Sequence, residues 1–394
     1  MGVYRLIPSL PPDCWPMRAF DYVRERTMLP DTVTFWMLMA YCGAALQDKV
    51  YVDWSVKPIF PNLPLMIVMP AGRGKTGGMN TIRPLFDNCL PYRIPEDSTA
   101  ESAMKQFAEN ARSYTGNSVC LWEVPEMADV FGRKDYQQGL IARVTRILDA
   151  PKDREISRST GNVHLRIQGH AVMSWIAGTT FEWLGQHVED AVSSGGFLPR
   201  LVTLYTTEAP KWIPDPKRDE TIERKLNGEL YEMLRTFGKP SPVSLPPEWE
   251  DVSKSVYNDL ISSGDSQSTA FIARRQENIL RIWLILKSLT QFTHDLRTSL
   301  LASKYLENQA IRLSEDLILT QNPLLRRVSA FCVSHPQGVS FAAMCRSIRG
   351  ITGNQLEACL SDLVKQGLVD WNPRTHGEAG IIKPKGIVPA DSKE

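Results

Sequence analysis

The apolar positions of this chain change period several times. The stretch "FDYVRERTMLPDTVTFWMLMAYCGAALQ" carries apolar residues at helical spacing on both sides of Pro30, and Asp31 stands where the second helix would take its N-cap. "KVYVDW" then alternates as a short strand does. From about 62 to 206, short apolar runs alternate with helical stretches. Strands are predicted at 65–69, 118–124, 163–168 and 170–178 and within 197–205, and helices near 75–88, 98–112 and 137–150. Ser98 followed by Glu101 reads as a capping box for the second of these helices. Such alternation predicts α/β layers around a mostly parallel sheet.

Past residue 206 the pattern loosens. "APKWIPDPK" and "GKPSPVSLPPEWE" flank a charged helix at 218–237, and their prolines mark boundaries. Residues 251–320 keep a helical period, most plainly in "FIARRQENILRIWLILKSL". "PLLRRVSAFCVSHP", "SFAAMCRSIRG" and "TGNQLEACLSDLVKQGL" predict three helices, and "VDWNP" with "GIIKPKG" predicts two strands of a hairpin. Three helices and a β-wing make a winged helix. The expected division is a helical N-terminal region over 1–60, a core over 61–210, a helical lid region over 211–320 and the winged-helix domain over 321–390.

Composition narrows the function classes. In 394 residues, 43% are hydrophobic and 23% charged, and the net charge is +1, so any nucleic-acid contact must come from local patches. No apolar run reaches membrane-spanning length and no secretory signal is present, so a membrane partner is not expected. Seven scattered cysteines form no C-x-x-C pair, and six histidines form no cluster. These features predict free thiols in a reducing, cytoplasmic compartment and no protein-built zinc site.

The chemistry concentrates in "PLMIVMPAGRGKTGGMN", residues 64–80. An apolar strand leads into a glycine-broken turn and then Lys75-Thr76, as in the phosphate-binding loop G-x-x-x-x-G-K-[ST], except that Met69 occupies the first glycine position. Gly72 and Gly74 can adopt positive φ, and the loop Gly72, Arg73, Gly74, Lys75, Thr76 and Gly77 would hold a polyphosphate at a helix N-terminus. Lys75 would reach the β- and γ-phosphates and Thr76 would ligate Mg²⁺. The expected ligands are therefore ATP and Mg²⁺. In "SVCLWEVPEMADVF", Glu126 lies past the apolar run where a carboxylate that holds Mg²⁺ and polarises water would emerge, and Glu123 occupies the place of the usual metal-holding acid within it. Thr179 or Thr180 could sense the γ-phosphate, or Thr180 could simply cap the helix "FEWLGQHV". Arg200, after the double glycine of "SSGGFLPRL", is either an ordinary ion-pair partner or an arginine finger.

Together "FPNLPLMIVMPAGRGKT", "EMADVFGRKDYQQGL", "RILDAP", "AGTTFEWL" and "GGFLPRL" resemble, in the same order, segments of a family of P-loop ATPases. That family is encoded by phages, plasmids and integrated elements, often beside or fused to primases, and is described as primase-helicase-like or replicative-helicase proteins. The resemblance covers roughly residues 15–320. It implies a P-loop NTPase core of RecA/AAA type, with Glu126 as the acidic residue, Thr179 or Thr180 as sensor and Arg200 as the arginine acting across a subunit interface. Arg274 and Arg275 resemble a basic lid segment that could reach the γ-phosphate; otherwise they open a solvated helix. The C-terminal part resembles the winged helices of ring helicases of the minichromosome-maintenance type.

The expected function is an ATP-hydrolysing DNA motor, a helicase or translocase of phage or mobile-element replication working in the bacterial host cytoplasm. Its partners would be its own copies in a hexameric ring, single- or double-stranded DNA, and a primase or other replication protein. DNA would be gripped by "DAPKDREISRSTGNVHLR", through Lys152, Arg154 and Arg158. In the C-terminal part, Arg326, Arg327, Arg346 and Arg349 either touch phosphates or form a solvated face. A nucleotide-switched helicase loader, or a defence or assembly ATPase that unwinds nothing, is the alternative. The basic segment separates the two.

Overall fold

The computed structural model describes residues 10–54, 57–96, 98, 100–112, 115–131, 141, 144–157, 164–187, 196–263, 266–290, 296–321, 323–348, 350–365, 369–371 and 381–384. The chain divides into two compact units, one formed by Met1–Asp259 with Phe271–Ala310, the other by Leu260–Ala270 with Ile311–Glu394.

The first unit opens with helices α1 (Trp15–Arg24) and α2 (Asp31–Leu46). Pro30 caps α2, and Asp31 is its first residue, with a carboxylate that takes ion pairs from Arg24 and Lys211. Every residue of α2 after Asp31 is buried, so this helix is apolar on all sides and runs through the core. The strands β1 (Val50–Trp54) and β2 (Lys57–Ile59) form a small antiparallel pair, joined in parallel by β9 (Ser241–Pro242).

The main sheet comprises β4 (Tyr92–Ile94), β5 (Ser118–Val124), β7 (His164–Thr179), β3 (Leu65–Val68) and β8 (Val202–Tyr205), side by side in that order. All four pairings are parallel. β3 and β5 are buried throughout, as strands covered on both faces are; β3 is wholly apolar, and β5 is apolar apart from Ser118 and Glu123. Parallel register brings the C-terminal ends of β3, β5 and β7 to one edge: Val68 stands beside Thr179, and Val124 beside Ala177. Open parallel sheets gather ligands at that edge.

Several elements differ from the sequence expectation, which has no strand at Tyr92–Ile94. The helix after β3, α3 (Lys75–Ile82), is shorter, because Pro84 diverts the chain into a 3-10 turn over Arg83–Phe86. The two strands expected at 163–168 and 170–178 are one, β7, unbroken at Gly169. There the Gly116 carbonyl accepts the Gly169 N–H at 2.8 Å, and the Asn117 side chain accepts the His170 N–H at 2.7 Å. The first half of β7 pairs antiparallel with β6 (Lys152–Ser157), forming a hairpin that starts where pairing with β5 ends, at Ala171.

In the second unit, helices Pro323–Val333, Phe341–Ser347 and Gly353–Lys365 accompany a three-stranded antiparallel sheet. Its strands are β10 (Val339–Ser340), β11 (Val369–Asp370) and β12 (Ile381–Pro384), with β12 central. The two expected hairpin strands are β11 and β12, and the two-residue β10 joins them as a third. The core of this unit holds Leu325, Val328, Met344, Leu356, Leu360 and Ile382. Trp371 stacks on Phe341 with ring centroids 5.9 Å apart, a packing role rather than an exposed one.

Candidate active site at the C-terminal edge of the sheet

β3 ends at Val68, and the chain turns through Met69–Gly74 into α3. Gly72 and Gly74 have φ of 71° and 85°, and the left-handed Gly74 is the N-cap of α3. No side chain caps that helix, so its first N–H groups face outward from a glycine. Thr76 and Gly77 are exposed and Arg73 is half-buried, whereas Lys75 is 6% exposed.

The Lys75 ammonium turns back along the loop and donates to the Met69 carbonyl at 3.1 Å. Burial lowers its pKa, and the charges of Glu126 and Glu182 partly offset that effect. Glu126 follows β5 by two residues and is half-buried. Burial raises its pKa; the Lys75 charge opposes that and Asp129 adds to it. These two residues, 51 positions apart by number, therefore meet electrostatically at one sheet edge.

Thr179, fully buried at the end of β7, accepts a hydrogen bond from the Met69 N–H through its carbonyl at 3.2 Å. Thr180 caps the helix Phe181–His187, its hydroxyl accepting the Trp183 N–H at 3.2 Å. Two participants were not singled out from the sequence. Glu182 adds a second negative charge beside Lys75. Gly178 lets the lysine lie flat: a Cβ there would fall 2.3 Å from the Pro125 carbonyl and 3.1 Å from Lys75 Cδ. The only sequence signal for Gly178 is a glycine closing an apolar run just before a Thr pair.

Glu123, expected as a metal ligand, has a carboxylate that is 1% exposed and already engaged by protein donors. Arg93 donates to it through Nε at 2.8 Å and Nη2 at 2.6 Å, Arg83 Nε donates at 3.2 Å, and the Tyr41 hydroxyl donates as well. Two guanidiniums and a phenol thus share its two oxygens. Among the described residues, no three His, Cys, Asp or Glu side chains converge as a metal site.

Arg200 and Arg274 lie elsewhere, and together. Arg200 ends a one-turn helix, Phe197–Arg200, just before β8 rather than opening the strand itself. β8 and β3 are parallel, with Val202 beside Leu65, so Arg200 sits at the N-terminal edge of the sheet, roughly 10 Å of strand from the glycine turn. Its Nε and Nη2 both bond Asp149 at 2.9 Å, and Arg274 Nη1 bonds the other Asp149 oxygen at 2.8 Å. Burial raises the Asp149 pKa, but the Arg200 hydrogen bond and the charges of Arg274, Arg200 and Lys57 outweigh it and hold the carboxyl below its usual value. Arg274, expected as a lid residue, is here engaged with Asp149. The Arg274–Arg275 pair also splits, with Arg275 buried against Glu307 and Asp259.

Asp149 precedes the β6–β7 hairpin by three residues. Lys152 is exposed at the foot of that hairpin, and Arg154 lies in β6 opposite Ile167. Arg158 falls outside the described residues, as does Arg349.

No protein-family model matches the chain, and no curated protein matches it. Among solved structures it is similar to one described as "SCCmec type IV Cch - active helicase", at 9% identity and a TM-score of 0.39, covering 93% of this chain and 69% of that one. No helix among the described residues is long and apolar enough to cross a membrane.

Proposed function

We propose that the chain is an ATP-hydrolysing motor acting on DNA, a ring-forming helicase or translocase in which ATP·Mg²⁺ binds at the turn between β3 and α3. One observation carries this reading: a left-handed glycine turn at the C-terminal edge of a parallel sheet holds a buried lysine beside a carboxylate with a raised pKa. That combination suits phosphoryl transfer. The uncapped N–H groups of α3 and the Lys75 ammonium would hold the β- and γ-phosphates, and Thr76 would take a place on Mg²⁺. The raised pKa of Glu126 moves it toward the working range of a general base that orients water. Thr179 would hold the sensor position.

Arg200 cannot easily serve the turn of its own chain from the opposite sheet edge. In this reading it serves a neighbouring subunit's nucleotide, with Arg274 beside it, and the assembly is a homo-oligomer, a hexameric ring. The β6–β7 hairpin, with Lys152 and Arg154, would grip DNA phosphates. The second unit would act as a winged helix toward duplex DNA or a replication partner such as a primase.

The first test is ATP hydrolysis by the full chain and by Lys75→Ala, with and without single-stranded DNA, while oligomeric mass is recorded. The expected result is Lys75-dependent hydrolysis that rises with DNA in an oligomer. Lys75-dependent binding without a DNA response would replace the motor by a nucleotide switch or loader. Absence of nucleotide binding would overturn both.

A further inference from the structure

Beyond the sheet edge, the chain builds a second feature beside the glycine turn. β8 ends at Tyr205, and the Thr206 N–H still bonds the Val68 carbonyl at 3.1 Å, so residues 206–217 leave the sheet next to the strand that feeds the turn. This strap is tied down on the α1–α2 connection at two places. The Lys211 N–H donates to the Met28 carbonyl at 2.8 Å, and the Lys211 ammonium bonds the Arg24 carbonyl at 2.8 Å and Asp31 at 2.6 Å. Further along, Arg26 Nε donates to the Lys217 carbonyl at 3.0 Å.

Between those anchors stands Trp212, 84% exposed, and its neighbour across the Lys211–Met28 bond, Met28, is 44% exposed. A large indole held in water on an anchored backbone is the informative kind of exposure, since burial is its default. Its location gives the reason. A Cβ on Gly74 would lie 3.9 Å from the Met28 Cβ, so Met28 borders the phosphate end of the proposed nucleotide site, and Trp212 follows in the chain the residue whose N–H bonds Met28. An exposed indole on a backbone tied beside an exposed methionine offers a heterocyclic base a surface to stack on.

We propose that Trp212, with Met28, is the platform for the nucleobase of the bound nucleoside triphosphate. Phosphates lie on the glycine turn, and the purine lies across the indole against the methionine. The proposal rests on the nucleotide reading of the Lys75 turn and adds to it where the base goes. Stacking takes any purine, so the platform supplies affinity for a base over none and favours purines over pyrimidines, with no discrimination among their edge groups.

The test compares Mg·ATP, Mg·CTP and inorganic tripolyphosphate by calorimetric titration of the full chain and of Trp212→Ala, Trp212→Phe and Lys75→Ala, with oligomeric mass measured for each. Trp212→Ala is expected to weaken ATP about ten-fold, leave tripolyphosphate unchanged and erase the preference for ATP over CTP, while Trp212→Phe restores most of the ATP affinity. Lys75→Ala is expected to weaken ATP and tripolyphosphate alike. If ATP binds in a Lys75-dependent way and Trp212→Ala leaves its affinity intact, the platform is overturned and the nucleotide reading stands. If Trp212→Ala changes only the oligomeric mass, Trp212 belongs to a subunit interface and the platform is again overturned. If the native chain binds neither ATP nor tripolyphosphate, both readings fall.

Discussion

The Lys75 ammonium lies 3.1 Å from the main-chain oxygen of Met69 and donates a hydrogen bond to it. Met69 occupies the position where the phosphate-loop pattern places its first glycine. Among the described residues, only Gln47 and Ala150 are non-glycines with positive φ, so Met69 has an ordinary backbone and needs no glycine. Its contribution is a carbonyl that parks the lysine and a side chain, 1% exposed, that belongs to the core.

It follows that restoring the pattern harms the protein. Met69→Gly removes a buried side chain and loosens the strand end, and is expected to cost about 3 kcal/mol of stability. Denaturant unfolding measures that cost. Titration with ATP is expected to show no gain in affinity; a gain would mean that the methionine obstructs the loop.

Gly178→Ala tests whether the floor under Lys75 matters. The added methyl would meet the Pro125 carbonyl at 2.3 Å, a backbone atom that cannot swing aside, and press on Lys75 Cδ at 3.1 Å. The expected outcome is ATP affinity lowered about ten-fold or more, because a shift of the ammonium by a fraction of an ångström weakens a charge-assisted bond. Titration of tripolyphosphate should show the same loss. An unchanged affinity would remove Gly178 from the site.

The two glutamates of the β5 segment should separate cleanly. Glu123→Gln leaves Arg83 and Arg93 without their shared carboxylate and is expected to cost about 2–4 kcal/mol of stability, with ATP affinity retained. Glu126→Gln, at the half-buried site beside Lys75, is expected to fold normally, bind ATP and lose at least about a hundred-fold in hydrolysis. Thermal unfolding and single-turnover hydrolysis on the two variants decide the assignment. Swapped phenotypes would reverse it.

The contrast between these glutamates marks what the sequence conveys. The strands at 65–69 and 118–124, the glycine turn and Lys75 are local, set by apolar runs and by residues close in the chain, and the sequence shows them. A mostly parallel sheet also follows from alternating strands and helices, but the edge strand β4 and the continuity of β7 do not. Which way Glu123 points does not follow, because its partners Tyr41, Arg83 and Arg93 come from three other segments. Likewise Arg200 and Arg274 share Asp149 only through folding, and no spacing announces a contact spanning 125 positions. Gly178 and Glu182 were legible as residue types but not as neighbours of Lys75.

Asp149 yields a pH prediction. Its folded pKa lies below the ordinary 3.8, so the stabilisation it provides is fully present above that value and is lost as pH falls through the folded one. Asp149→Asn is expected to be less stable than the native chain by about 1–2 kcal/mol at neutral pH, a figure discounted for partial exposure. The gap should begin to narrow below pH 3.8 and close only once pH has fallen below the depressed folded pKa, where the native carboxyl is protonated too. Denaturant curves for both proteins across acid pH check this; a gap that persists in acid would mean that packing, not charge, holds the two arginines.

The hairpin decides whether the proposed ATPase is a motor. β6 carries Lys152 exposed at its foot and Arg154 two residues on, in a strand that pairs with the half of β7 lying beyond the parallel sheet. If these cations meet phosphates, Lys152→Glu with Arg154→Glu should bring the ratio of DNA-stimulated to unstimulated hydrolysis down toward unity. Binding to single-stranded DNA should also lose salt dependence, its log–log slope falling by about 1.4 when two phosphates are no longer neutralised. Lys75 stays untouched, so a collapse of stimulation with intact ATP binding isolates the effect to DNA. Retained stimulation and an unchanged salt slope would remove the hairpin from the DNA path and leave a nucleotide switch as the better account of the site.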